Sequence, residues 1–149
     1  MFSCLGPDTA KELHEVYTQL GWPPASHPLT DMHDWGDLLV HTGFAEPVMD
    51  MERIVLAFAT PERALHELRG LGRNLHPARF AALRTKAWKT QLLQAMELKL
   101  RNSQGLIELT FEIIYGHAFK PVPRIKMSDE SAISMRDMRV MLAQGRTKI

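Results

Sequence analysis

Several things are scarce in these 149 residues, and each scarcity removes a class of protein. Cys4 is the only cysteine. It rules out an internal disulfide and fits a reducing compartment, so cytoplasm is the expected location. No apolar run reaches the roughly 18–20 residues of a membrane span. The opening residues carry no basic stretch followed by an apolar block, so no secretory leader is expected. There is no Gly-x-Ser-x-Gly elbow and no cysteine in a protease context. Histidine, cysteine and carboxylates do not recur at ligand spacing, and no metal is expected.

Charge of one sign is locally scarce, although the net charge is only +1. Residues 1–60 hold nine acids against Lys11 and Arg53, a net −7. Residues 61–101 hold nine bases against Glu62, Glu67 and Glu97, a net +6. Such a split points to an anionic partner for the basic part. Phe80 and Trp88 fall on an apolar stripe, so aromatic interleaving of the nucleic-acid kind is missing. An acidic protein is the expected partner, and nucleic acid is not.

The periodicity predicts an α/β order. Residues 1–6 read as the end of a buried strand. Asp8 is placed to cap a helix reaching Tyr17 or Leu20, with Leu13, Val16, Tyr17 and Leu20 on its apolar face. Trp22–Pro28 is a loop. Thr30 or Asp31 caps a second helix, whose buried side is Trp35, Leu38, Leu39 and Phe44. A strand covers residues 48–58. Thr60-Pro61-Glu62 opens a third helix. Ala78 to Leu100 reads as one long basic helix with Phe80, Leu83, Ala87, Trp88, Leu92, Ala95 and Met96 on its stripe. Residues 106–115 alternate as a strand. A short helix is expected near Met135–Leu142, inside a flexible tail over 122–149.

Gly70-Leu71-Gly72-Arg73-Asn74-Leu75 looks like a phosphate loop, but a helix precedes it and the third glycine is a leucine. It reads as a helix end and a turn. His33 with Asp31, Asp34 and Asp37 reads as a capped acidic helix start favoured by the helix dipole, rather than a metal site. Ser3 and Cys4 lie near a strand end, where ligands gather in open α/β sheets, but core and turn positions explain them as well.

Three blocks carry a resemblance. They are Phe2-Ser3-Cys4-Leu5-Gly6-Pro7-Asp8-Thr9-Ala10-Lys11-Glu12-Leu13, the run from Asp31-Met32-His33-Asp34-Trp35 to Asp50-Met51-Glu52, and Tyr115-Gly116-His117-Ala118-Phe119-Lys120-Pro121. In that order they resemble the C-terminal half of the malonyl-acyl-carrier-protein O-methyltransferases of biotin synthesis (the BioC family). The resemblance covers residues 1–121, is weakest over 73–101 and is absent from the tail. It implies part of a Rossmann-like class I methyltransferase fold. Residues 1–6 would be the end of strand five; residues 48–58 and 106–116 would be strands six and seven, antiparallel to each other. Residues 60–101 would be a helical lid over the acyl substrate.

It further implies S-adenosylmethionine as methyl donor and a malonyl thioester on acyl carrier protein as acceptor. The family's cofactor motifs match no residue here, so no cofactor-binding residue is carried over, and the isolated chain is expected to be inactive. No catalytic residue is assigned. Arg73, Arg79, Arg84, Lys86 and Lys89 are the expected contacts for the acidic carrier. Two other readings remain open: a non-catalytic module that binds an acidic protein through the basic helices, and a methyltransferase-like assembly factor.

Overall fold

A computed structural model describes residues 1–122 and 134–145. It is a mixed α/β arrangement around a three-stranded antiparallel sheet in the order β1-β3-β2. The strands are β1 (Phe2–Leu5), β2 (Ala45–Phe58) and β3 (Ile107–Phe119). The helices are α1 (Lys11–Gln19), α2 (Met32–His41), α3 (Pro61–Gly70), α4 (Lys86–Leu100) and α5 (Met135–Gly145). The third and last strand in sequence is therefore the middle one in space. It pairs antiparallel with β1 from Phe2↔Gly116 to Leu5↔Ile113, and with β2 from Ala45↔Phe119 to Phe58↔Ile107. The antiparallel pairing expected of the two long strands is present.

A middle strand is covered on both faces, and β3 reads accordingly. Ile107, Leu109 and Phe111 enter the main core with Val16, Phe58, Ala64, Leu92 and Met96. Those residues come from α1, β2, α3 and α4, so these helices cover one face. Truncating a side chain such as Met96 or Leu109 there costs about 2–5 kcal/mol. The opposite face is covered by α2, through contacts with β2 and β3. At that crossing Gly116 leaves room that a side chain would occupy. A Cβ there would stand 2.5 Å from the Phe2 ring and 2.8 Å from Met49 Sδ. Phe2 in turn packs on Trp35 of α2, ring centroids 5.4 Å apart.

Four expectations need correction. Asp8 does not cap α1. The cap position is Ala10, held in the left-handed region at φ 54°, with no side-chain cap bond. Asp8 instead meets Arg53 at 2.8 Å and Lys11 at 3.4 Å. The long basic helix begins at Lys86 rather than Ala78. Thr85 caps it by accepting from the Trp88 amide, and residues 78–85 are irregular. Phe80 and Leu83 therefore leave the stripe, at 44% and 96% exposure; Ala87, though helical, is exposed as well. Finally, Leu38 and Phe44 lie largely open, and no residue of α2 is fully buried; the narrow sheet gives that helix only partial cover.

Other signals hold as read. Asp31 caps α2, accepting from the His33 amide at 2.7 Å. Thr60 caps α3, with Pro61 in its first turn. Gly70 ends α3, and Gly72 follows at φ 118°. The helix expected near Met135–Leu142 is α5; the remainder of the tail lies outside the described residues.

Candidate functional site

β1 stops at Leu5, while β3 runs on beneath it. The segment after β1 supplies what a partner strand would otherwise have given. The Gly6 amide donates to the Glu112 carbonyl at 2.8 Å, and the Ala10 amide donates to the Thr110 carbonyl at 2.7 Å. The Thr9 hydroxyl donates to the Glu112 carbonyl and accepts from the Glu112 amide, both at 3.2 Å. The Glu12 carboxylate accepts from the Thr110 amide at 3.1–3.2 Å and from its hydroxyl. Every backbone group of β3 in this stretch is thereby satisfied, as burial demands.

The Glu112 carboxylate lies directly beneath this seam, 4% exposed. It accepts from the Asp8 amide at 2.9 Å and from Arg53 at 3.5 Å. A buried carboxylate needs such partners. It also needs Gly6: a Cβ there would fall 2.4 Å from Glu112 Oε2.

Beyond the seam lies a cavity of about 200 Å³. It is bounded by α1, the Trp22–Leu29 loop, the end of α3 and the connector that follows. Leu5, Leu13, Leu29, Leu68 and Leu71 give it apolar walls, and His14, Ser26, His27, Arg73 and Asn74 supply its polar groups. The loop is tied at both ends. Ser26 Oγ donates to the His27 carbonyl at 3.1 Å and lies 2.8 Å from His14 Nε2. With the hydroxyl proton so committed, the ring donates from Nε2. Ser26 is thus a fastening and not an activated nucleophile, which would need its proton on the histidine. Burial lowers the His14 pKa, partly opposed by the Glu12 charge, so the ring is neutral near pH 7. Asn74 closes the other side, donating to the Pro24 carbonyl at 2.8 Å and accepting from the His76 amide at 2.8 Å. His27 Nδ1 is buried and has no hydrogen-bond partner among the described residues.

The five basic residues expected to meet an acidic carrier do not form one patch. Arg73 stands at the mouth of the cavity. Arg79 donates to the His76 carbonyl at 3.3 Å within its own loop. Arg84 is stacked among aromatics, 3.9 Å from the Phe80 centroid, 4.6 Å from Trp88 and 5.9 Å from Trp22. Tyr17 completes that cluster, 5.3 Å from Trp22; burial raises its pKa, with Arg84 pulling the other way. Lys86 and Lys89 occupy the exposed first turn of α4. Arg84, Lys86 and Lys89 therefore surround a helix N-terminus, where an anion is favoured twice over.

Elsewhere the plainer readings suffice. Asp31 accepts from both the His33 amide and His33 Nδ1, the latter at 2.9 Å, and these bonds lower its pKa. Cys4 is half-buried in β1, and burial raises its pKa, the reverse of what a reactive thiol needs. The Thr9–Glu112 seam, the His14–Ser26 tie and the aromatic seat of Arg84 were missed from sequence. The first two link partners 103 and 12 positions apart, which no local pattern shows; Arg84 has Phe80 and Trp88 four positions to either side, but its third ring, Trp22, is 62 positions away.

No family model matches the chain. Relatives do. A protein of Gallionella capsiferriformans (strain ES-2) named malonyl-[acyl-carrier protein] O-methyltransferase is 42% identical over 134 residues, which are 89% of this chain and 46% of that protein. Proteins of the same name from Nitrosospira multiformis and Laribacter hongkongensis are 41% and 40% identical, over 83% and 87% of this chain and 40% and 44% of theirs. The chain thus spans less than half the length of the curated relatives it matches.

Proposed function

The chain is homologous over most of its length to malonyl-[acyl-carrier protein] O-methyltransferases, and we propose that it forms the C-terminal, acceptor-holding part of such an enzyme. The observation that carries this reading is the 42% identity across 134 residues to a protein of that name. In this reading β1 is the end of strand five of a Rossmann-like methyltransferase sheet, and β2 and β3 are strands six and seven. The helices α3 and α4, with their connector, form a lid beside the acyl site.

The reaction would move a methyl group from S-adenosylmethionine to the free carboxylate of a malonyl thioester. A carboxylate is already a nucleophile, so catalysis consists largely of alignment. The residues of this chain do not fit the donor. The cavity at the strand end, where a nucleotide-like ligand would lie, measures about 200 Å³, below the ~300 Å³ at which pockets for drug-sized ligands begin. The contribution assigned to this chain is therefore acceptor binding. Lys86 and Lys89, at the start of α4, and Arg79 meet the acidic carrier, and Arg84 stiffens that corner by its stacking. A salt-sensitive encounter follows from such a surface.

The test is methyl transfer. The chain is joined behind the first half of the Gallionella relative and supplied with S-adenosylmethionine and malonyl-acyl carrier protein. The chimera is expected to form the malonyl methyl ester, and the chain alone is expected to form none. A folded chimera that binds the donor but methylates only other acceptors would overturn the reading.

A further inference from the structure

Two apolar surfaces of opposite charge lie uncovered among the described residues. One is α5. It runs for 11 residues, fewer than the ~12–15 at which an isolated helix becomes stable in water. Its start is nevertheless well capped: Ser134 accepts from the Asp137 amide at 3.1 Å and donates to the Asp137 carboxylate at 2.7 Å. Met135, Met138, Met141 and Leu142 fall on one side of it by helical spacing, and they are 43–67% exposed. Arg136 and Arg139 run along one flank of that stripe. Among the described residues α5 packs on no other helix or strand.

The other surface is a groove of about 370 Å³ between α2 and the start of β2. Met32, Gly36, Val40, Pro47 and Met49 line it, and the exposed Asp37 stands at its rim. Asp34 and Asp37, like Arg136 and Arg139, enter no ion pair among the described residues. An added strand does not suit this end of β2. Pro47 has no amide proton to offer, the pairing with β3 slips between Ala45 and Val48, and Glu46 sits in the left-handed region at φ 52°. What fits is a helix that lays side chains into the groove.

We propose that α5 of the same chain is the occupant: its methionine stripe fills the groove, and Arg136 and Arg139 meet Asp34 and Asp37. Three observations select it over a foreign helix. β3 ends at Phe119, which pairs with Ala45, two residues before Pro47, so the chain leaves the sheet beside the groove. The 15 residues from Lys120 to Ser134 span at most about 50 Å, and a tether of that length holds α5 at an effective concentration of order millimolar. The charges are complementary, and unbranched methionines adapt to an irregular apolar floor. The groove lies on the α2 face of the sheet, away from the cavity beside β1, so the proposal does not rest on the methyltransferase reading.

The experiment uses the 149-residue chain carrying carbon-13 in its methionine methyl groups. Nuclear Overhauser cross-peaks are expected to join Met138 or Met141 to Met32 or Met49. They are expected to survive dilution and to be absent between chains in a mixture of labelled and unlabelled protein. Met138→Asp with Leu142→Asp is expected to abolish them and to move the Met49 methyl resonance. Val40→Asp, which alters only the groove, is expected to do the same while the circular dichroism stays native. Arg136→Glu with Arg139→Glu is expected to lower the docked population by about fivefold at low salt, and adding Asp34→Lys with Asp37→Lys is expected to restore it. Absent cross-peaks, with Met32 and Met49 unmoved by the α5 variant, overturn the proposal. Cross-peaks found only between chains give the groove to a second copy and overturn it as well, as do cross-peaks that place α5 against other methionines.

Discussion

At the scale of single residues, the seam between the Gly6–Glu12 segment and β3 carries the heaviest consequences. Thr9 uses one hydroxyl to satisfy both the amide and the carbonyl of Glu112. Thr9→Val keeps the shape but leaves the Glu112 amide buried and unmet, while the Glu112 carbonyl keeps only its bond from the Gly6 amide; it is expected to cost about 1–3 kcal/mol of stability in a urea melt. Gly6→Ala is expected to destabilise comparably, because its methyl group would enter the space of the Glu112 carboxylate. Gly6→Ala combined with Glu112→Ala should recover part of the loss, and a strictly additive pair would contradict the clash. His14 adds a pH dependence whose sign is fixed. Its folded pKa lies below the ordinary 6.5, so the unfolded chain binds the proton more readily. Stability from this group is full above pH 6.5 and declines as pH falls through 6.5 toward the lower folded value. His14→Gln is expected to flatten the acid side of the stability profile as pH falls through 6.5. An unchanged slope would remove His14 from the account.

At the scale of elements, the start of α4 shows what sequence can and cannot reveal. The spacing of Phe80, Leu83 and Ala87 predicts a helix from Ala78 onward. The structure starts the helix at Lys86 because Thr85 caps it and because stacking holds Arg84 outside it. Ala82→Pro would break a helix by about 3 kcal/mol or more; here it is expected to leave the melting temperature within a degree or two. Thr85→Ala is expected to cost about 1 kcal/mol. The caps at Thr60 and Asp31 were legible because a cap is a local pattern of three or four residues. The left-handed Ala10 was not, since its conformation is imposed by the bond from its amide to Thr110, a hundred positions away. Strands β2 and β3 were legible from composition and alternation. That β3 lies in the middle was not, because strand order is a tertiary fact.

At the scale of the whole molecule, the sheet is open on two sides. The outer edges of β1 and β2 have no strand partner among the described residues, and Val48, Val55 and Leu56 lie exposed on β2. Open, apolar edges invite association, so the chain by itself is expected to aggregate, and static light scattering at rising concentration should show it. A sharp concentration-independent melt of a monomer would contradict this. The relation to malonyl-[acyl-carrier protein] O-methyltransferases was legible in the three blocks at 2–13, 31–52 and 115–121. The cavity beside the end of β1 was not, because its walls come from α1, a proline-rich loop and the α3–α4 connector, which meet only in space.

If this chain holds the acceptor, as proposed, it binds malonyl-acyl carrier protein by itself. Isothermal titration of malonyl-acyl carrier protein into the folded chain tests it most directly. Saturable heat is expected that is larger for the malonyl-loaded carrier than for the unloaded one, that fades between low and physiological salt, and that drops with Lys86→Glu and Lys89→Glu together. No heat with a chain shown to be folded, or binding indifferent to both salt and acyl group, would contradict it.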